Sequence, residues 1–506
     1  MKSVHTPQSR CRAGIVSRDI TPPVGIYHRM WGAAVHDRSE GVHRPLMATV
    51  LCLLPEVPVA SKISTNGKGA SLIGAAVGDA LIVVALDHCL MDASDVTQIR
   101  HAVSTELHTH AENVQVIMSH THGSGYMFCG RADLPGGDLI GPYLDAMTAQ
   151  CAKFAKEALQ SAGKATIVYG TGRCALAKHR DYWDEDAQSF VVSFNPEGPA
   201  DDTLLVGRIE SESGKTLGTI VNYACHPTTL AWDNRLLSPD FIGSMRELIE
   251  QHTGAPAMFI QGASGDLGPQ QGFIGDTTVA DKNGRELGFA ALATLEGIPA
   301  AGQVYQYTGW KMSGTRIGEW RYVPQEACAL EPQAEWRSSH QFVPLPYRED
   351  MPTPQQARAD YHASRSEEEQ ALAAGDQARH AAARIRTEQL SRLADRLEGL
   401  PVGKDYPYPV DLQRIGEAVW LFVPGELYQD FQVELRAAFP AIPLIIATMS
   451  GSWNPAYLPK ASSYGYGIYQ DTCAVVAPGS LEQLIEAVKD QITELVNVSQ
   501  AAELSG

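Results

Sequence analysis

The sequence predicts a mixed α+β fold, in which a mixed and partly antiparallel β-sheet core is flanked by helices. Over residues 1–300, short apolar runs bounded by turn residues alternate with amphipathic stretches. Two consecutive runs are joined by a short turn, which indicates antiparallel pairing. A segment rich in Ala, Arg, Glu and Gln then follows at about residues 352–400 and predicts a long helical excursion.

The predicted strands are nearly continuous apolar runs, which is typical of strands buried on both faces. They lie at residues 48–54, 81–86, 114–118, 204–210, 217–224, 258–261, 418–423 and 444–449. The fourth and fifth flank Ser211-Glu212-Ser213-Gly214 and predict a hairpin.

Helices are predicted between several of these strands. Residues 95–107 are helical in pattern, and Ser238-Pro239 followed by one apolar stripe predicts a capped helix that ends at Gly254. The excursion is expected to contain one or two long helices interrupted near Gly375, and the last helix opens at Ser480.

A chain of 506 residues is long enough for two or more domains, or for one enlarged enzyme domain. The sequence shows no internal repeat and no low-complexity linker. We therefore expect one catalytic domain over residues 1–506, with a helical insertion at about residues 352–400.

The charge balance limits the classes of partner. Forty Lys and Arg residues against 58 Asp and Glu give a net charge of −18, and no basic block compensates. The first twelve residues lack the apolar stretch of a secretion signal, and no apolar run approaches the roughly 20 residues that span a bilayer. We expect a cytoplasmic protein that acts on a small molecule and binds neither nucleic acid nor membrane. Homo-oligomerisation is compatible with the sequence.

The first candidate for chemistry is Ser119-His120-Thr121-His122-Gly123, directly after the predicted strand 114–118. In an extended segment, residues two apart point the same way, so both imidazoles can face one ligand. Metal binding and a polar turn are both compatible with this motif alone. His108-Thr109-His110 repeats the spacing in an exposed connector, where we expect no function.

Three further polar residues stand after apolar strands: His226, Glu426 and Tyr457. Singly, each has a structural explanation, such as the helix dipole for Glu426. Together, imidazole and carboxylate groups at strand ends are the donors that a divalent metal with nitrogen and oxygen ligands requires. The nine cysteines form no CxxC pair, so the pattern favours a catalytic zinc site over a structural one.

A glycine-rich loop at residues 261–269 follows another predicted strand and contains Gly265-Asp266-Leu267-Gly268-Pro269. Such a loop brings backbone N–H groups or the Asp266 carboxylate close to a ligand. It matches neither GxSxG nor the phosphate-binding GxxxxGK[ST] pattern, which argues against a serine hydrolase and an NTPase.

Short motifs recur along residues 13–480: Ala13-Gly14-Ile15, Asp19-Ile20-Thr21-Pro22-Pro23, Arg44-Pro45-Leu46, Ser119-His120-Thr121-His122, Tyr223-Ala224-Cys225-His226, Gly265-Asp266, Pro424-Gly425-Glu426 and Tyr457-Leu458-Pro459. In this order, the motifs resemble those of the neutral/alkaline, non-lysosomal ceramidases and their shorter bacterial relatives. The resemblance implies a ceramidase-like catalytic domain with one Zn²⁺ per chain. The implied zinc ligands are His120, His226, Glu426 and Tyr457, although Ala456 stands where the family usually has Gly.

The resemblance also implies that His122 and Tyr469 contact the reacting group, and it matches Arg180 to an arginine of the family. One departure lies after Asp266: the family has a catalytic Ser in GDxSP, whereas this chain has Gly268. Few residues follow Tyr469, so we expect no C-terminal β domain. With the missing secretion signal, these departures favour a small soluble substrate over ceramide.

The sequence therefore predicts a zinc-dependent hydrolase that cleaves an amide or similar C–N bond of a small soluble metabolite through metal-activated water. Besides the metal ligands, the predicted site residues are the oxyanion donors His122, Tyr469 and Arg180, the proton acceptors Asp266 or Asp240, and Gly268 and Asp240 at the bound substrate. Asp240 also fits an anchoring role or a helix start. Two alternatives stay open: a zinc lyase or isomerase on the same scaffold, and a non-catalytic, ligand-binding relative.

Overall fold

The computed structural model of the chain describes residues 2–56 and 77–503. The strands are β1 (Ser3–Val4), β2 (Gln8–Asp19), β3 (Gly41–Val42), β4 (Met47–Leu54), β5 (Leu81–Leu86), β6 (Val114–Met118), β7 (Gly163–Arg173), β8 (Ala177–His179), β9 (Asp181–Asp184), β10 (Ser189–Val192), β11 (Thr203–Ser211), β12 (Thr216–Tyr223), β13 (Leu236–Leu237), β14 (Ala257–Gln261), β15 (Leu267–Pro269), β16 (Gln303–Ser313), β17 (Thr315–Pro324), β18 (Trp336–Pro346), β19 (Asp405–Ile415), β20 (Ala418–Phe422), β21 (Glu426–Leu427), β22 (Leu444–Ala447) and β23 (Tyr457–Leu458).

The helices are α1 (Ala93–Leu107), α2 (Ile140–Ser161), α3 (Phe241–Thr253), α4 (Thr277–Gly297), α5 (Ala327–Leu330), α6 (Pro354–Ala373), α7 (Gln377–Glu398), α8 (Asp430–Ala438), α9 (Tyr469–Cys473) and α10 (Ser480–Glu503). Every helix among the described residues is either too short or too polar to span a bilayer.

The largest sheet has eight strands in the order β14-β12-β11-β7-β2-β4-β5-β6. Its inner pairs are antiparallel, and they include the hairpin β11–β12 that the sequence predicts. At its two edges, β14 pairs with β12 and β6 pairs with β5 in parallel. The mixed sheet confirms the predicted fold class.

A second sheet, with the order β18-β19-β20-β22, packs against the first. Alternate side chains show this clearly on β4: Leu51 and Leu53 join Trp420 and Phe422 of the second sheet in one core cluster, whereas Val50 joins a cluster that contains α1 and α2. Helices α8 and α10 cover the outer face of the second sheet. The layers are therefore helices, sheet, sheet and helices, which buries the inner strands on both faces and explains their continuous apolar runs.

The predicted helical excursion is a hairpin of α6 and α7, interrupted at Gly375, where φ is +68°. Glu388 of α7 attaches this hairpin to the loop after β6. Its carboxylate accepts hydrogen bonds from Nη1 and Nη2 of Arg131 at 2.8 and 3.2 Å, and both side chains are buried.

Two local predictions were wrong. The N-cap of α3 is Asp240 rather than Ser238: its carboxylate accepts the amide N–H of Phe241, and its own amide donates to the Ser238 hydroxyl. Glu426 does not start a helix, because α8 begins at Asp430. It lies instead in β21, which pairs in parallel with β23.

Close packing of β2 under α2 depends on Gly14. A Cβ atom at this position would lie 1.9 Å from the carbonyl oxygen of Ala158 in α2, whereas a Cβ at Gly163 would meet nothing within 4 Å. We expect Gly14→Ala to lower the free energy of unfolding by about 1–3 kcal/mol or more, and Gly163→Ala to change it by less than about 0.5 kcal/mol. Urea denaturation measures both, and equal effects would contradict the described helix-to-sheet contact.

Candidate active site

Two buried histidines and the partly buried Glu426 meet where β6, β12 and β20 end. Nε2 of His120 lies 2.9 Å from Nε2 of His226, and these atoms lie 3.2 and 3.4 Å from Oε2 of Glu426. His120 and His226 are 2% and 1% exposed. The predicted donors, which are more than 100 residues apart in the chain, thus share one small volume.

The outer nitrogens of the two imidazoles are held by backbone carbonyls. Nδ1 of His120 donates to the carbonyl of Cys89 at 2.9 Å, and Nδ1 of His226 donates to that of Ser264 at 3.2 Å. Each ring therefore keeps its proton on Nδ1 and presents the lone pair of Nε2 inward. Two such lone pairs 2.9 Å apart repel each other unless a cation lies between them, so the donor set fits a divalent metal.

Tyr457 lies beside Glu426 because β21 and β23 are in register at these two residues. Its hydroxyl accepts a hydrogen bond from Nη2 of Arg180 at 3.0 Å, and Nε and Nη2 of Arg180 also donate to the carbonyl of Gly265. Burial and the negative charge of Glu426 raise the pKa of Tyr457 well above its ordinary value. Arg180 therefore positions the tyrosine next to the three metal donors.

His122 borders this cluster and has no hydrogen-bond partner. Its ring centre lies 5.1 Å from that of His120 and 5.3 Å from that of His226, and neither ring nitrogen is bonded within the described residues. Burial, with the positive charges of Arg180 and Arg392, lowers the pKa of His122 well below its ordinary value. The ring is thus neutral near pH 7 and offers one donor and one acceptor to a ligand.

Two other predicted residues border the same space. The ring of Tyr469, at the start of α9, lies 5.7 Å from that of Tyr457, and the side chain is half-exposed. At Gly268, a Cβ would lie 3.7 Å from Cδ of Arg180 and from the hydroxyl of Thr228. The glycine therefore leaves room next to Arg180 instead of supplying a reactive group.

The structure does not bring Asp266 or Asp240 into the cluster. The Asp266 carboxylate accepts hydrogen bonds from the amide and the side chain of Gln429, at 2.8 and 2.7 Å, and burial raises its pKa to about 6. The Asp240 carboxylate is held by the amides of Leu230 and Phe241. Structural hydrogen bonds thus engage both carboxylates, from backbone amides at Asp240 and from the backbone and side chain of Gln429 at Asp266.

Sequence reasoning missed Cys89 and Trp31. Cys89 follows β5 as the histidines follow β6, so its position at a strand end was a usable signal. Its thiol forms a second close group with His120 and His122, but Nδ1 of His120 is already engaged by the Cys89 carbonyl. The Trp31 ring, 5.0 Å from that of His122, had no sequence signal.

Comparison with known proteins bears on the fold. No protein-family model matches the sequence, and no curated protein is significantly similar to it. A ceramidase complexed with C2 aligns with a TM-score of 0.63 and 14% identity over 98% of this chain and 76% of its own. The neutral ceramidase from Pseudomonas aeruginosa aligns at 0.61 and 15% identity, over 98% and 75%. The chain has the ceramidase fold, which confirms the predicted resemblance at this level.

The role of Arg180 as a buried support can be measured. Arg180→Met would leave the Tyr457 hydroxyl without its donor and the Gly265 carbonyl with Nε2 of Gln470 alone, so we expect the free energy of unfolding to fall by about 1–3 kcal/mol. Arg173→Met is the control, because that side chain is 79% exposed in its pair with Asp202 and should contribute less than about 1 kcal/mol. Similar losses in both variants, measured by denaturant titration, would contradict this assignment.

Proposed function

We propose that the chain is a zinc-dependent hydrolase that cleaves an amide or similar C–N bond of a small molecule. The observation that carries this proposal is the pair of inward-facing Nε2 atoms of His120 and His226, 2.9 Å apart and beside Glu426. The ceramidase fold supports the same class of reaction.

We assign one zinc ion per chain to His120, His226, Glu426 and Tyr457. Imidazole and oxygen donors without paired thiolates are typical of catalytic zinc sites. When bound, zinc supplies a Lewis acid that lowers the pKa of water to about 7 and polarises a carbonyl group. The alternative set of Cys89, His120 and His122 requires the nitrogen that already donates to the Cys89 carbonyl, so we do not favour it.

We assign binding and proton transfer to the remaining residues of the site. His122 is neutral and unpartnered, so we assign it the proton acceptor role that the sequence analysis gave to Asp266 or Asp240. The half-exposed Tyr469 would donate its hydroxyl proton to the developing oxyanion from the open side. Arg180 acts as a positioning residue, since its Nε and Nη2 atoms hold the Gly265 carbonyl and Tyr457.

Metal content is the first test. We expect protein purified without chelator to contain about one zinc per chain, and His226→Ala to lose most of it because one inward nitrogen disappears. His108→Ala is the matched control, since this exposed histidine lies outside the site. Elemental analysis decides: a metal-free wild type, or an empty site in the His108 variant, would refute the assignment.

Reaction class is the second test. In water enriched in oxygen-18, hydrolysis of an N-acyl substrate should place one solvent oxygen in the carboxylate product. Turnover without solvent oxygen in the product, followed by mass spectrometry, would instead indicate a lyase or isomerase. A zinc-loaded protein that turns over no amide, yet binds one, would favour the non-catalytic alternative that Gly268 suggests.

The role of His122 is separable from metal binding. His122→Gln should keep the zinc content of the wild type and reduce kcat by about 10²–10⁴-fold, because the variant cannot accept the proton. Elemental analysis and steady-state kinetics on the same preparation measure both quantities. A variant that loses its zinc would show that His122 is a metal ligand, and one with unchanged kcat would remove it from catalysis.

A further inference from the structure

One face of α7 carries charged residues toward the loops around the candidate site. Arg384, Glu388, Arg392 and Arg396 are four apart, so they project from the same side of the helix. Arg384 pairs with Asp37, Glu388 with Arg131, and the Arg396 guanidinium lies 5.3 Å from the Trp453 ring centre. The excursion is thus a wall of the site rather than a separate appendage.

Guanidinium groups outnumber carboxylates among the side chains packed against this face of α7. Glu388 accepts hydrogen bonds from both Arg131 and Nε of Arg392, the latter at 2.8 Å. Arg29, which is 5% exposed, adds a third guanidinium, and its Nε has no partner among the described residues. Arginine stays charged when buried, so excess guanidinium is costly unless an anion approaches.

Arg392 connects this charge to the metal donors. Its Nη2 donates to the carbonyl of Met30, and the next residue, Trp31, has its ring 5.0 Å from that of His122. A Cβ atom at Gly32 would lie 3.4 Å from Ile385 of α7, so the helix packs directly on the loop that contains Met30, Trp31 and Gly32. The Arg392 guanidinium also lies 4.9 Å from the centre of the Tyr126 ring, and the side chain is 22% exposed.

An apolar cluster also borders His122. The Trp31 ring also contacts those of Trp232 and Phe273, at centre distances of 6.2 and 5.8 Å. Trp232 is 37% exposed, so part of this aromatic cluster faces the outside. His122 therefore lies next to an aromatic cluster, and the loop that contributes Trp31 to this cluster is held by Arg392 through the carbonyl of Met30.

We infer that Arg392 binds a carboxylate of the substrate, so that the substrate class is an amide with a carboxylate on one part and an apolar group on the other, such as an N-acyl amino acid. The substrate carboxylate would add negative charge next to Arg392, which shares the single carboxylate of Glu388 with Arg131. The apolar group packs on the cluster of Trp31, Trp232 and Phe273. This inference rests on the proposed function, which gives the position of the scissile bond. The binding of an anion is inferred separately, from the arginines.

Binding to the zinc-loaded protein tests the inference without requiring turnover. The probes are N-acetyl-phenylalanine and N-acetyl-phenylalanine amide, which differ in the carboxylate. By calorimetry, we expect the acid to bind at least ten-fold more tightly than the amide. Arg392→Gln should reduce the affinity for the acid at least ten-fold and leave that for the amide within two-fold.

Two variants control for helix packing. Arg384→Gln removes a paired charge from the same face about two helical turns away from Arg392, so the preference for the acid should stay within two-fold of the wild type. Arg392→Lys keeps the charge without the fork of Arg and should lose part of the preference. If Arg392→Gln shows no cooperative thermal unfolding, Arg392→Lys replaces it as the test variant. An unchanged preference for the acid in Arg392→Lys would then overturn the inference.

Equal affinities of the wild type for acid and amide would overturn the inference, as would equal losses for both probes in Arg392→Gln. Failure of the proposed function looks different. A protein that prefers the acid through Arg392 but hydrolyses neither N-acetyl-phenylalanine nor other amides would keep the carboxylate site and refute the hydrolase.

Discussion

The candidate site depends on three parallel strand pairs whose carboxyl ends converge. In β5–β6, β12–β14 and β20–β22, both strands of each pair run in the same direction. The residues that hold or surround the metal donors follow these strands: Cys89, His120, His226, Ser264 and Glu426. Parallel pairs present all their loops at one edge, as in open α/β sheets where ligands bind outside the strand ends. The antiparallel strands in the middle of the large sheet connect its two parallel edge pairs, β12–β14 and β5–β6, and place both pairs beside the second sheet.

Asn222 at the end of β12 joins the two sheets at this point. Its side-chain amide donates to the carbonyls of Ile260 and Ile446, and its carbonyl oxygen accepts the amide of Ile446 at 3.0 Å. A buried asparagine satisfied in this way fixes the register between β12, β14 and β22. Because His226 follows four residues later, the same contacts fix its position relative to Glu426, and a shift of one residue would separate the donors.

The sequence predicted the strands and the metal donors because both leave local signals. Buried strands are apolar runs, and a His or Glu directly after such a run is conspicuous. The neighbours of Asp266 could not be predicted: its carboxylate is held by Gln429, 163 residues later, and nothing near either residue indicates the pairing. The helices around Gly375 were predicted from composition. That α7 packs on the loop at Met30 through Arg392 could not be predicted, because this depends on contacts between distant segments, such as Glu388–Arg131.

Charge links these parts of the molecule. In the proposed donor set of His120, His226, Glu426 and Tyr457, Glu426 provides the fixed negative charge. A bound divalent cation would therefore leave the site positive, and Arg180 and Arg392 would add to this charge. A positive site of this kind binds a metal less tightly than the same donors alone would, and an anion at Arg392 relieves that repulsion. Linkage is reciprocal, so metal and carboxylate must each raise the affinity for the other by the same factor. Under the proposed function, the excess of arginine over carboxylate along α7 would therefore favour anionic substrates and would make occupancy of the metal site respond to them.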